Sequence, residues 1–231
     1  MEGMLYQCSK LTSINMSLFW TNELKNIKSM HISDILFQYW NVLNMENLFY
    51  LWSSLNLIDI PNFNTEKIAS FSNMFNGCKN LKSINLSSLD TKNLICMYSM
   101  FYSCFSLTSI DLSNLSTLNL EIMSSMFSDC SSLSSLDLSN FKTSNLLNIQ
   151  NAFNGCHNLK YNDISNLDTT NVISMSYTFN GCSSLTSLDI TNLDTQKVTS
   201  MSNMFSECSA LISLSVSLFD TRNAQIMNHM F

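Results

Sequence analysis

The sequence predicts an α/β solenoid, with a parallel β-sheet on one face and short helices on the other. Three observations carry this. Phenylalanine recurs every 26 residues, at Phe49, Phe75, Phe101, Phe127, Phe153, Phe179, Phe205 and Phe231, and a fixed period of this size marks stacked coils. Within one period Val198, Met201, Met204, Phe205 and Cys208 stand three or four apart, the stripe of an amphipathic helix. Leu188 and Ile190 alternate with Ser187, Asp189 and Thr191, which reads as a short half-buried strand.

Residues 1–231 form a single repeat domain whose units start near positions 5, 31, 49, 75, 101, 127, 153, 179 and 205. The first unit keeps the register through Cys8, Leu11, Ile14, Phe19, Thr21 and Met30, with Trp20 as its one oddity. The second has only 18 residues; it keeps Phe37, Val42, Met45 and Leu48 but lacks the segment that supplies the strand. A local break in the sheet is expected there. From Phe49 onward the spacing is regular. Gly77, Gly155 and Gly181 share the column two residues after the phenylalanine, where a helix would end in a left-handed residue. Each unit is therefore read as helix, corner, strand and a return loop through Asn-Leu-Asp-Thr. One unit buries too little apolar surface to fold alone, so the coils must cover one another.

Composition narrows the function classes. Hydrophobic residues make up 45% of the chain, enough for a core. Charged residues make up 12% with a net charge of -6, which argues against a nucleic-acid binder. Glycine (4) and proline (1) are scarce, so asparagine and serine must build the corners. No apolar run approaches the roughly 18 residues of a membrane span. The first residues lack the basic and apolar regions of a signal peptide. Met1 aligns with Met201, and the last residue, Phe231, lies inside the motif. The expectation is an excerpt of a longer protein or a truncated reading frame, with end-to-end association possible through uncapped repeats.

Leu133-Ser-Ser-Leu136-Asp137-Leu138-Ser139-Asn140-Phe141, with Met123, Met126, Phe127 and Cys130, resembles the BspA-like leucine-rich repeats. In particular it is similar to the 26-residue surface-protein repeat of mycoplasma-type lipoproteins and related bacterial and protist surface proteins. The resemblance covers essentially the whole chain. It implies a leucine-rich-repeat-like right-handed solenoid and a non-enzymatic, surface-displayed or secreted protein. Such a protein would bind an extracellular protein or glycan through its concave sheet face. The residues given carry no signal peptide, so a cytoplasmic location stays open. Departures are the short second unit, Trp52 in the cysteine column and Asn162 where a core leucine belongs.

Seven of the eight cysteines form one column: Cys8, Cys78, Cys104, Cys130, Cys156, Cys182 and Cys208. Neighbouring coils bring such residues within disulfide reach, but a straight column without histidines does not converge on a metal. A row of small buried side chains is favoured, with Cys96, off the column, as the better candidate for a free thiol. Threonine fills another column (Thr21, Thr65, Thr91, Thr117, Thr143, Thr169, Thr195, Thr221) and is expected to form a hydrogen-bonded ladder rather than a flat binding face.

Asp59, Asp111, Asp137, Asp163 and Asp189 occupy the outward strand column, with Asn15, Asn85 and Ser215 completing it. Stacked carboxylates should attract cations or a basic partner, although a flat ladder suits calcium poorly. These five are the candidate partner-binding residues, weighed against a merely solvated sheet face. Trp20, Trp40 and Trp52 cluster in sequence with Phe37, Tyr39, Phe49 and Tyr50 around the short unit, where filling of the missing strand is favoured over a binding patch. His31, His157 and His229 share no column and stand beside no nucleophile motif. Asn15, Asn85 and Asn114 match the glycosylation pattern, which a chain this rich in asparagine and serine yields by chance. The expectation is a binding module with no catalytic residues, no metal and no cofactor. The alternative is a structural spacer or an intracellular protein-interaction scaffold.

Overall fold

The computed structural model describes residues 45–59 and 65–231, with side chains outside 57–59. The first unit, the 18-residue second unit with its expected sheet break, Trp20, Phe37, Tyr39, Trp40, His31, Cys8, Thr21 and Asn15 lie outside the described residues. Successive 26-residue coils stack in parallel. The ladder Ser70↔Cys96↔Ile122↔Asn148↔Ser174↔Ser200↔Ile226 runs through seven coils without a gap.

The arc carrying the apolar stripe is not helical, which corrects the expected short helices. In the coil 71–78 the N–H groups alternate between two destinations. Phe71, Asn73, Phe75 and Gly77 donate to the carbonyls of Cys96, Tyr98, Met100 and Tyr102 on the next coil, at 2.8–2.9 Å. Met74, Asn76 and Cys78 instead donate three residues back, to Phe71, Asn73 and Phe75, at 3.0–3.1 Å. The result is a chain of linked turns. Positive φ at Asn73 (56°) and Gly77 (77°) is incompatible with an α-helix and is what a turn of type II requires at its third residue. Both columns repeat. The glycine column contains Leu51, Ser103, Asp129 and Glu207 as well as Gly77, Gly155 and Gly181, all left-handed. The column thus demands a left-handed residue, as read from the sequence, but at a turn rather than a helix end, and glycine meets the demand without strain.

The core is a set of rows along the stack. The phenylalanines from Phe49 to Phe231 lie face over face, with successive ring centroids 5.1–6.1 Å apart and planes within 17° of parallel. Inside each turn arc a cysteine follows. Cys78, Cys104, Cys130, Cys156, Cys182 and Cys208 each donate Sγ–H to the phenylalanine carbonyl 29 residues earlier, at 3.1–3.3 Å. All are free thiols, as is Cys96. The small-side-chain row is therefore what the column forms, and Cys96 is not distinguished from it by being free. Trp52 takes the cysteine position in its coil, buried and edge-on to Phe49 at 5.7 Å. Of the aromatic cluster, the described Phe49 and Trp52 are core and Tyr50 is half-buried, so they fill space rather than form a patch.

The strand face is less regular than the predicted continuous sheet. It contains β1 (Leu57–Asp59), β2 (Ser83–Asn85), β3 (Ser135–Asp137) and β4 (Tyr161–Asp163). β1 pairs with β2 and β3 with β4, both parallel, with Ile58 opposite Ile84 and Leu136 opposite Asn162. Residues 109–111 belong to neither pair, and the face is unpaired again beyond β4. Among the described residues no backbone hydrogen bond joins 160–164 to 186–190, or 186–190 to 212–216.

The return loop is held by the threonine ladder. Thr143 Oγ1 donates to the carbonyl of Asp168 (3.1 Å) and accepts from the N–H of the same residue (2.8 Å). Thr195 does the same with Asp220, at 3.1 and 2.7 Å, and Thr117 with Lys142. Each hydroxyl thereby saturates one donor and one acceptor of the coil above, which is the ladder expected from the sequence.

Candidate functional site

Alternation along a three-residue strand puts its middle residue inward and its ends outward. In β3, Ser135 and Asp137 are exposed around buried Leu136. The same alternation sets Asp111, Asp163 and Asp189 on the outer row, Asp163 half-buried and the others exposed. Asp59 ends β1, in register with Asn85 of β2. The strands stop here because the carboxylate competes for the backbone. The N–H of Ser113 donates to Asp111 Oδ1 (2.9 Å), that of Ser139 to Asp137 (2.8 Å), that of Ser165 to Asp163 (3.0 Å) and that of Thr191 to Asp189 (3.0 Å). These are Asx turns. In β2 Asn85 makes the same bond to Ser87 N–H at 2.9 Å, so the turn needs the oxygen and not the charge.

The hydrogen bonds also fix the charge state. The Ser113 hydroxyl and then its N–H hold the Asp111 carboxyl below its ordinary range. For Asp163 the Ser165 N–H leads and the Ser165 hydroxyl follows; for Asp189 it is the Thr191 hydroxyl and then its N–H. Asp111, Asp163 and Asp189 are thus ionised at neutral pH, each with one oxygen tied to its own turn. Asp163 Oδ2 also accepts the hydroxyl of Tyr161 at 3.1 Å, a bond that raises the tyrosine's pKa.

Where the face is unpaired beyond β4, a groove of about 510 Å³ opens across three coils. Tyr161, Asp163, Ser187, Asp189 and Ser215 line it from the outer row, and Asn162 lines it from the inner row. Asn162 is only 5% exposed, and neither end of its amide has a hydrogen-bond partner. The sequence marks Asn162 only as a departure in a leucine column and passes over Tyr161. The sole available signal was polarity at an inward position.

The other candidates are not assembled into a site. His157 Nδ1 bonds the carbonyl of Gly181 at 2.8 Å, and His229 lies in a left-handed turn far along the chain. Among the described residues no three His, Cys, Asp or Glu side chains come together as metal ligands. Burial pushes the column thiols far up, away from the thiolate a nucleophile needs. Among the described residues no helix is long and apolar enough to cross a membrane.

The comparisons with known proteins follow the repeat. Among curated proteins nothing matches the chain. Two solved structures are similar. One is a leucine-rich repeat protein of T. pallidum, 24% identical, covering 61% of this chain and 69% of that one, with a TM-score of 0.39. The other is a leucine-rich repeat protein from Bacteroides ovatus, 18% identical, covering 87% and 73%, also with a TM-score of 0.39. A family described as "Mycoplasma protein of unknown function, DUF285" matches in two overlapping spans, residues 1–141 and 121–231. Together these spans take in every coil of the stack, and the chain belongs to that mycoplasma-type repeat family.

Proposed function

We propose that the chain is a non-enzymatic binding module, displayed at a cell surface, that contacts a protein or glycan through its strand face. The supporting observation is the outer row of carboxylates at Asp111, Asp137, Asp163 and Asp189, with Asp59 in the same register. Asp111, Asp137, Asp163 and Asp189 each have one oxygen committed to a turn, and Asp111, Asp137 and Asp189 direct exposed side chains outward. A row of preorganised like charges gives an on-rate and a preference to a complementary partner without any chemical step. Low affinity per coil is multiplied by repetition along the stack.

Asn85 supplies the design of the test. Because an amide oxygen keeps the turn at that position, Asp→Asn at 111, 137, 163 and 189 removes four charges while leaving the Asx turns in place. The expected outcome is folded protein whose binding to host cells or to immobilised matrix protein falls at least tenfold. Unchanged binding by the folded quadruple variant would sink the strand-face assignment and favour a spacer or scaffold.

A further inference from the structure

We infer that β4 is a strap that lifts off the strand face while the coils stay stacked, which gives the outer row two states. The inference does not depend on what the face binds. Three observations converge on residues 158–163, and the first is one-sided attachment. β2 is bonded on both sides: Lys82 N–H donates to the Asn56 carbonyl at 3.1 Å, and Thr108 N–H donates to the Lys82 carbonyl at 3.2 Å. β3 is bonded below through Ser134 N–H to the Thr108 carbonyl (3.4 Å) and above to β4. β4 is bonded only below. Lys160 N–H donates to the Ser134 carbonyl (3.0 Å), and the Asp163 carbonyl accepts from Leu138 N–H (2.9 Å). Among the described residues no backbone bond joins 160–164 to 186–190.

The second observation is the amide of Asn162. It faces the core at 5% exposure, and neither Oδ1 nor Nδ2 has a hydrogen-bond partner. Lifting β4 lets water reach the amide, so the desolvation penalty of the closed state is recovered on opening. That penalty shifts the equilibrium toward the open strap by about 5- to 150-fold relative to an apolar side chain. Repulsion in the outer row is not the cause, since Asp137 and Asp163 stand opposite each other within the paired β3·β4. The third observation is a thinner core at the same level. Met74, Met100, Met126 and Met204 form one buried row, but Ala152 and Thr178 take its place in the coil of β4 and the coil above. Leu188, the inward residue of the coil above, is 9% exposed against 2% for Leu136. Fewer contacts hold the strap down.

Both ends of the strap are pinned. Ser184 N–H donates to the His157 carbonyl at 3.1 Å, and Asn192 Nδ2 donates to the Ile164 carbonyl at 2.7 Å. The arc is continuous through the same coils, with Phe153 N–H on the Thr178 carbonyl and Phe179 N–H on the Met204 carbonyl, both at 2.9 Å. Opening is therefore confined to 158–163, a local event of the kind that precedes any global unfolding. Tyr161 and Asp163 ride on the strap, so lifting it interrupts the outer row between Asp137 and Asp189.

The test is amide-resolved hydrogen exchange of the whole chain by NMR at several urea concentrations below the unfolding transition. The amides of Lys160 and Leu138, which lose their partners when the strap lifts, should exchange at least about tenfold faster than those of Phe153 and Phe179. Their rates should barely change with urea, because little surface is uncovered, whereas the arc amides should accelerate steeply. Asn162→Leu restores the residue that Leu136 and Leu188 supply in the neighbouring coils, so the fold is kept. It should slow exchange at Lys160 and Leu138 about tenfold. Equal rates and equal urea dependence at strap and arc overturn the inference, as does exchange at Lys160 and Leu138 that Asn162→Leu leaves unchanged.

Discussion

The turn arc and the strand face are built by the same 26-residue repeat, yet one is uniform and the other is not. Along the arc alternate N–H groups reach the next coil, the phenylalanines stack from Phe49 to Phe231, and each described column cysteine finds its carbonyl. Among the described residues pairing on the strand face is confined to β1·β2 and β3·β4, and it lapses at 109–111 and beyond 163. Three kinds of interaction bind the arc at each step: ring packing, thiol donation and backbone bonds. The strand face has three residues per coil, only one of which points inward. Order follows the number of contacts that must fail together. The outer row is therefore the part of the coil free to vary, which is what the proposed strand-face contact would need.

The largest test of this contrast is a pair of substitutions. Phe127→Ala, in the middle of the ring stack, should cost about 3–5 kcal/mol. Ser135→Ala, on the outer row of β3, should change stability by less than about 0.5 kcal/mol. Both are read as denaturant midpoints, and comparable losses would erase the distinction between the faces. Pairwise additivity is not expected for neighbouring phenylalanines, since removing one ring unseats both of its partners.

A second test uses pH. Burial raises the thiols of Cys78, Cys104, Cys130, Cys156 and Cys182 far above their ordinary value of 9.0, and half-buried Cys208 to about 11. Burial leads in every case. A group whose folded pKa is raised contributes stability that is fully present below its unfolded pKa and fades as pH rises above it. Stability should therefore hold up to about pH 9 and then decline, because the unfolded thiols ionise while the folded ones do not. Urea midpoints at pH 7.5 and 10 measure this, and the decline should be smaller in Cys130→Ala. A flat profile would mean the thiol row is not sealed.

The smallest effect concerns backbone conformation. Ser103 stands at φ 56° in the column that Gly77, Gly155 and Gly181 occupy without strain. Ser103→Gly should stabilise the arc by at most about 1 kcal/mol, seen as a modest rise in midpoint. Gly181→Ala should lose a similar amount, since its Cβ would meet neighbours no nearer than 3.5 Å and the penalty is conformational alone.

Much of this was legible before any coordinates. The 26-residue period, the inward rows of phenylalanine and cysteine, and the threonine ladder follow from columns alone, because a stacked coil forces equivalent residues into contact. The outward position of Asp111, Asp137, Asp163 and Asp189 follows from strand alternation. The turn arc did not follow. Apolar residues at 71, 74, 75 and 78 satisfy the spacing of a helix and of linked turns equally well, and Asn73 accepts either backbone. The choice lies with the neighbouring coil, whose carbonyls at Cys96, Tyr98, Met100 and Tyr102 take the N–H groups a helix would have kept for itself. The groove was hidden for the same reason. A polar residue at Asn162 is visible in the sequence, but whether the next coil closes over it is a question of backbone bonds between residues 26 apart, and only the stacked structure answers it.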